Sequence, residues 1–246
     1  MSLVSPGDGV AGIDALLVRC QFPPSGSPVV CGVSGGADSL ALLVLACAAD
    51  LDVTAIHVDH GLRGDSGVAE ASVVEHAAAR FGACFQEIKV HIEAGPDLEQ
   101  RARMARHAAL GPGAMTGHTA DDQAETVLVN LLRGAGPAGL AAMRPGHRHP
   151  ILALRRAETV ALCKQIGLDP VVDPSNQDPR FVRNRIRAEL LPLIADISRR
   201  DPVPLLVRTA LHARGVLDDV QTLAADVDPT DTRALQNQPD SVAAEA

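Results

Sequence analysis

Between residues 28 and 132 the chain alternates two hydrophobic rhythms. Short runs of consecutive apolar, β-branched residues at 28–33, 53–58, 84–90 and 113–117 have the length and composition of buried strands. The segments at 38–49, 68–81, 98–110 and 121–132 instead repeat apolar positions at three- and four-residue spacing, the rhythm of amphipathic helices. Such alternation predicts βαβ units and a parallel sheet covered on both faces. The expected fold class is α/β: a doubly wound, mostly parallel sheet of about five strands, followed by a helical segment. Ligands of such sheets bind beyond the carboxyl ends of the strands, which directs attention to 34–39, 57–63 and 117–125.

Outside this block the pattern changes. Residues 1–27 read as a leader with a short helix, and 28–140 as the core. After a Gly/Pro-rich stretch at 134–150, residues 141–200 form a segment of different character, and 201–246 a helical linker and tail with helical periodicity at 205–225. The 246 residues carry a net charge of -8, which by itself argues against a nucleic-acid partner. Its distribution reverses that inference, because 1–140 carries -8, 141–200 carries +5 and 201–246 carries -5. A local basic surface is therefore expected within 141–200.

Composition removes several function classes. There is no Trp, no Tyr and only four Phe (Phe22, Phe81, Phe85, Phe181), which argues against an aromatic cage or a multi-base stacking platform. Of the 22 basic residues only Lys89 and Lys164 are lysines, and neither stands in a G-x-x-x-x-G-K-[ST] loop, which excludes P-loop NTPases. The five cysteines show no C-x-x-C and no zinc spacing, and read as buried small residues in a reducing compartment. The longest apolar run, 40–49, is too short to span a bilayer, so a cytoplasmic protein without membrane partners is expected.

The most informative local motif is Ser34-Gly35-Gly36-Ala37-Asp38-Ser39, which follows the first strand and opens a helix. Its glycines allow a tight turn and close approach of the backbone, and the helix start presents N–H groups and a positive dipole end to an anion. Asp38 would repel a bare phosphate, which points to an intervening Mg²⁺ held by a carboxylate and phosphate oxygens. This loop resembles the SGGxDS signature of the PP-loop ATP pyrophosphatases, enzymes that split ATP into AMP and pyrophosphate to adenylate an oxygen.

Further blocks narrow the resemblance. His57-Val58-Asp59-His60-Gly61-Leu62-Arg63 is similar to the HVDHGLR element of the tRNA(Ile)-lysidine synthetases. The segment 97–107 resembles that family's N-x-E-x-x-A-R-x-x-R-Y helix, with Asp97 for Asn and His107 for Tyr. Gly117-His118-Thr119-Ala120-Asp121-Asp122-Gln123-Ala124-Glu125-Thr126 resembles its GHxxDDQAET block, and 131–140 the LLRGAGxxGL that follows. His149-Pro150-Ile151-Leu152 and Arg155-Arg156-Ala157-Glu158 correspond to RPLL and R-x-E, with His149 where Arg is usual. Asp173-Pro174-Ser175-Asn176, Phe181 and Arg183-Asn184-Arg185-Ile186-Arg187 match DPSN and F-x-RNRIR.

The resemblance implies ATP-dependent ligation of L-lysine to carbon-2 of the wobble cytidine of the CAU-anticodon isoleucine tRNA, through an adenylated cytidine. It implies that Ser34, Gly35, Gly36, Ala37, Asp38, Ser39, Val58 and Arg63 bind ATP, with the backbone around Val58 at the adenine. Asp38, Asp122, Glu125, His118, Arg103 and Arg106 are the implied catalytic set, with Asp38 and Asp122 toward Mg²⁺. Asp121, Asp122 and Glu125 are candidates for the lysine ammonium groups, and Phe181, Arg183, Asn184, Arg185 and Arg187 for the tRNA. Arg101 reads as a solvated helix-face residue. Family members continue into a C-terminal region that grips the tRNA, so 201–246 implies truncation there and leaves a homodimer open as a second source of tRNA surface. Two other readings stand beside this one: a tRNA thiolase of the same superfamily, which would call for paired cysteines, and a truncated nucleotide-binding module without activity.

Overall fold

A computed structural model describes residues 12–59, 61, 65–91, 98–173, 178–225, 227, 239 and 241. The chain divides into two compact units, each discontinuous in sequence: Met1–Asp121 with Pro145–Gln177, and Asp122–Arg144 with Asp178–Ala246.

The first unit holds the sheet. After a short helix α1 (Ile13–Leu17), it contains β1 (Pro28–Gly32), α2 (Ala37–Ala48), β2 (Asp52–Asp59), α3 (Asp65–Phe81), β3 (Cys84–Lys89), α4 (Leu98–Leu110), β4 (Met115–Thr116) and α7 (Arg156–Gln165). The helix α5 (Ala120–Leu132) starts in this unit. All strand pairs are parallel, in the order β3-β2-β1-β4, with Val29 opposite Val53 and Cys31 opposite both Ala55 and Met115. Four strands, rather than the expected five, form the sheet among the described residues. The fourth is brief because the chain turns at once, His118 N–H donating to the Thr116 carbonyl at 2.9 Å.

Burial explains the order of the elements. Every residue of α2 from Ser39 to Ala46 is buried, so this helix is apolar all round and lies within the unit's core with Cys31, Val33, Val53, Val74, Leu154 and Leu162. β3 is an edge strand with mostly exposed positions, and it carries the exposed Cys84. The expectation of buried cysteines therefore fails at Cys84, while Cys31 and Cys163 are buried and Cys20 and Cys47 partly so. Burial pushes the Cys31 thiol up to about 12, and burial together with the nearby Asp38 charge pushes Cys163 up to about 11, so both stay protonated and unreactive.

The second unit is helical: the remainder of α5, then α6 (Pro137–Leu140), α8 (Val182–Arg185), one π-helical turn (Ile186–Leu190), α9 (Leu191–Ser198) and α10 (Pro202–Ala225). Gln123 is a structural clamp here. Its amide donates to the Met143 carbonyl at 2.9 Å and accepts from the Met143 N–H at 3.0 Å, closing the chain after α5 back onto its start. Asn130 repeats the device further along the helix, donating to the Gly139 carbonyl at 2.7 Å. No helix among the described residues is long and apolar enough to cross a membrane.

Candidate active site

The strand order places a switch point between β1 and β4, since the chain steps outward from β1 to β3 and then returns to the other side of β1. Connections diverge there, leaving an open crevice beyond the carboxyl ends of the two strands. The Ser34–Ser39 loop follows β1, and Gly117-His118 follows β4. Both candidate motifs thus stand at the position the topology reserves for a ligand.

Within the loop, Ser39 is the fastener. Its Oγ donates to the Gly36 carbonyl at 2.9 Å and accepts from the Ser34 N–H at 3.1 Å, with the Ser34 hydroxyl 3.3 Å away. Gly35 adopts φ +84°, a left-handed conformation that needs glycine, and its carbonyl accepts from Val171 N–H at 3.0 Å. Gly36 caps α2 with extended backbone, which presents the first N–H groups of a buried 12-residue helix to the crevice. Gly117 packs against this helix start so closely that a Cβ there would lie 2.6 Å from the Asp38 carbonyl oxygen and 2.9 Å from the Ser39 Cα. Because these are backbone atoms, Gly117→Ala is expected to destabilise the first unit by about 1–3 kcal/mol, read from urea denaturation, and to weaken nucleotide binding with it.

Asp38 does not stand alone. Its Oδ2 accepts from Arg156 Nε at 3.1 Å and its Oδ1 from the Thr159 hydroxyl, with the Asp38 and Arg156 side chains 23% and 26% exposed. Each carboxylate oxygen has lone pairs beyond these bonds, so the group retains acceptor capacity. Asp121 makes the parallel arrangement, with a two-pronged pair to Arg155 (both 3.1 Å) and a bond from the Arg156 N–H at 2.8 Å. Both carboxylates lie at the N-terminus of α7, where the helix dipole favours negative charge. Burial pushes the Asp121 carboxyl up, but the Arg155 pair and the Arg156 bonds outweigh it and hold it below the ordinary range. Its contribution to stability is therefore complete at neutral pH and is lost only on acidification below the ordinary aspartate value. Glu158 completes the helix cap by accepting from Arg155 N–H at 2.7 Å while pairing with Arg19.

At the end of β2, His57 is buried and its Nδ1 donates to the Val33 carbonyl at 3.0 Å, which makes it a satisfied core histidine. Val58 is half-buried in the strand among Ile56, Leu110 and Ile88, one residue before the turn in which Asp59 accepts from Gly61 N–H at 2.9 Å. Arg63 and the side chain of Arg103 lie outside the described residues, as do His60, Leu62, Asp97 and 174–176. Arg106 is exposed on α4, whereas Arg101, expected to be solvated, is half-buried with its Nε and Nη2 out of contact with solvent.

In the second unit the sequence-derived candidates come together. Glu125 is fully buried on α5, and two arginines close on it: Arg183 Nε at 2.6 Å from Oε2, and Arg187 with Nε at 2.7 Å from Oε1 and Nη2 at 3.1 Å from Oε2. Arg183 also donates to Asp122 Oδ1 at 3.0 Å. Residues four apart share a helix face, which is why Arg183 and Arg187 act jointly while Arg185 projects outward to Glu189 at 2.8 Å. Asn184 donates to the Asp178 carbonyl at 2.9 Å, and Phe181 stands half-buried at the start of α8. Among the described residues no group of three or more His, Cys, Asp or Glu forms a metal-binding cluster.

The sequence pattern of the PP-loop domain family covers residues 14–194. The tRNA(Ile)-lysidine synthase of Nocardia farcinica is 41% identical over 218 residues, 84% of this chain and 68% of that one. The chain belongs to the tRNA(Ile)-lysidine synthase family. The enzymes of the same name from Mycolicibacterium paratuberculosis and Mycobacterium leprae are 45% and 40% identical, over 74% and 85% of this chain. The chain spans 59% to 70% of the length of these three relatives.

In this lysidine synthase-family domain the start of α7 is the part of the site that sequence reasoning misses. Arg155 and Arg156 are visible in sequence only as part of an R-x-E resemblance, and Thr159 gives no signal at all. Their partners Asp121 and Asp38 stand 34 and 118 residues away, beyond the reach of any local pattern.

Proposed function

We propose that this chain is the catalytic part of a lysidine-forming ligase: with ATP it adenylates the carbon-2 oxygen of the wobble cytidine in the CAU-anticodon isoleucine tRNA, and L-lysine then displaces AMP. The observation carrying this reading is the Ser34–Ser39 loop fastened at the β1/β4 switch point, in a chain whose relatives bear that activity in their names. The Gly35, Gly36 and Ala37 N–H groups and the Ser34 hydroxyl receive the phosphates, the Ser39 hydroxyl giving its proton to the Gly36 carbonyl and so shaping the loop against the expectation of a direct contact, and the strand-end backbone at Val58 receives the adenine. Arg63, Arg103 and Arg106 neutralise charge on the departing pyrophosphate. Asp38 fits a Mg²⁺ role because one carboxylate with phosphate oxygens is a usual Mg²⁺ environment, and Asp122 is the second candidate. That ion, when bound, neutralises charge on the phosphates.

The lysine step falls to Asp121 and Asp122, whose carboxylates match the substrate's ammonium groups, with His118 beside them in the chain; Glu125, fully buried and closed by Arg183 and Arg187, serves against expectation by holding those arginines. The tRNA is met by Arg183, Asn184, Arg185, Arg187 and Phe181; Arg185 is the most solvent-exposed of these arginines, and a phosphate there competes only with its exposed pair to Glu189. With so few aromatics, the target cytidine is held by guanidinium planes and hydrogen bonds. The cytoplasm, where tRNA, ATP and free lysine coexist, is the compartment this reading requires. A homodimer would double the tRNA-facing surface.

The test uses purified protein, ATP with Mg²⁺, L-lysine and a transcript of the CAU isoleucine tRNA. AMP release dependent on lysine and on this tRNA is expected; AMP release absent under all conditions would favour a nucleotide-binding module without activity. Arg185→Ala is expected to weaken tRNA binding and lower the dependence of log affinity on log salt by about 1, with ATP binding unchanged.

A further inference from the structure

One cluster in the first unit joins His118 to two residues, Thr116 and His149, that have no role above. The Thr116 hydroxyl oxygen, at the end of β4, lies 2.8 Å from His118 Nδ1 and 2.9 Å from His149 Nδ1, and 3.3 Å from the Arg148 carbonyl. The two imidazoles meet edge to face with ring centroids 5.1 Å apart. Backbone contacts fix the arrangement. The Thr116 N–H donates to the Arg148 carbonyl at 2.9 Å, His149 N–H donates to the Gly146 carbonyl at 2.9 Å, and His118 N–H donates back to Thr116.

Proton counting constrains this triad. A hydroxyl has one proton, and it serves His118, His149 or the Arg148 carbonyl. A carbonyl only accepts, so at least one imidazole must donate its own Nδ1–H to the Thr116 oxygen. The two neutral rings therefore cannot both carry their proton on Nε2, and the tautomer of one depends on the other. Of the three arrangements that satisfy this count, the one that leaves an Nε2–H donor on His118 runs from His149 Nδ1–H to Thr116 Oγ1 and from the Thr116 O–H to His118 Nδ1.

We propose that His149 is a positioning residue which, through the Thr116 hydroxyl, sets the tautomer of His118 so that this ring carries its proton on Nε2. His118 then offers a donor to an anionic oxygen, such as a phosphate of ATP or pyrophosphate, and is not a proton acceptor. The coupling of the two tautomers stands on geometry alone, and the direction chosen, with its catalytic meaning, rests on the proposed function.

The experiment is a long-range proton–nitrogen correlation spectrum of the full chain with nitrogen-15-labelled histidines, recorded at alkaline pH where the rings are neutral. In the native protein His118 is expected to show a pyridine-like Nδ1 and pyrrole-like Nε2, and His149 a pyrrole-like Nδ1. The reverse pattern would overturn the proposal. Thr116→Val and His149→Phe are each expected to convert His118 to a mixture of tautomers, while Thr116→Ser and His149→Asn, which keep a hydroxyl and an amide donor, retain the single one. An unchanged His118 spectrum in both disruptive variants would also overturn it. His57, locked as an Nδ1–H donor by the Val33 carbonyl, reports whether each variant is folded; if one is not, the native spectrum decides the matter.

Discussion

Replacing Asp38 by Asn is expected to lower the rate of pyrophosphate release at saturating ATP and Mg²⁺ by roughly 100-fold or more, the scale of losing one preorganised charge at a reacting phosphate. Position is the reason: Asp38 is the second residue of α2, in the loop fastened by Ser39, and its carboxylate is held by Arg156 and Thr159. Asparagine keeps the size and one acceptor oxygen but removes the charge, turning an NH₂ group toward donors. The loss of one partly exposed charge-assisted bond costs about 1.5–3 kcal/mol at most, so the domain remains folded. Urea denaturation run beside the rate assay separates the two effects. Near-normal turnover in a folded Asp38→Asn protein would remove Asp38 from the nucleotide chemistry.

Glu125→Gln has the largest expected effect on stability, about 3 kcal/mol. The native carboxylate is fully buried and balances two guanidinium groups, so its neutral replacement removes the carboxylate that pairs with Arg187 and leaves Arg183 to Asp122. Breaking a buried pair by removing one partner costs about 3–5 kcal/mol; the lower end applies because both arginines keep about a third of their side-chain surface in water and regain solvation. Combining Glu125→Leu with Arg187→Met is expected to restore part of the loss, since it removes the Arg187 charge while Arg183 keeps Asp122. The midpoint of urea denaturation checks both. A change within about 0.5 kcal/mol for Glu125→Gln would mean that the two arginines do not depend on this carboxylate.

The same residues show where sequence reasoning succeeds and where it stops. Helix α4 is expected at 98–110 and found at Leu98–Leu110, and α5 is expected at 121–132 and found at Ala120–Leu132, because their apolar spacing is dictated by local geometry. The switch-point loop is equally legible, since two glycines between a strand and a helix start form a turn that brings backbone N–H groups close to an anion. Charge pattern marks Arg183, Arg185 and Arg187 as a cluster but does not separate their partners. The helix turns about 100° per residue, so Asp121 and Asp122, adjacent in sequence, reach different arginines, Arg155 and Arg183. Such pairings span 34 and 61 residues and are settled by tertiary packing. Arg101 and Cys84 depart from expectation for the same reason: a helix face or a strand has no label saying which neighbour covers it or leaves it at an edge.

The most direct test of the central claim follows the lysine itself. With isotopically labelled L-lysine, ATP, Mg²⁺ and the CAU isoleucine tRNA, nucleoside analysis of the recovered tRNA is expected to place the label on the wobble cytidine alone. The same label should be absent when ATP is omitted or when the anticodon cytidine is replaced. Lysine-independent ATP cleavage with no label on the tRNA, or label on any other nucleotide, would contradict the account.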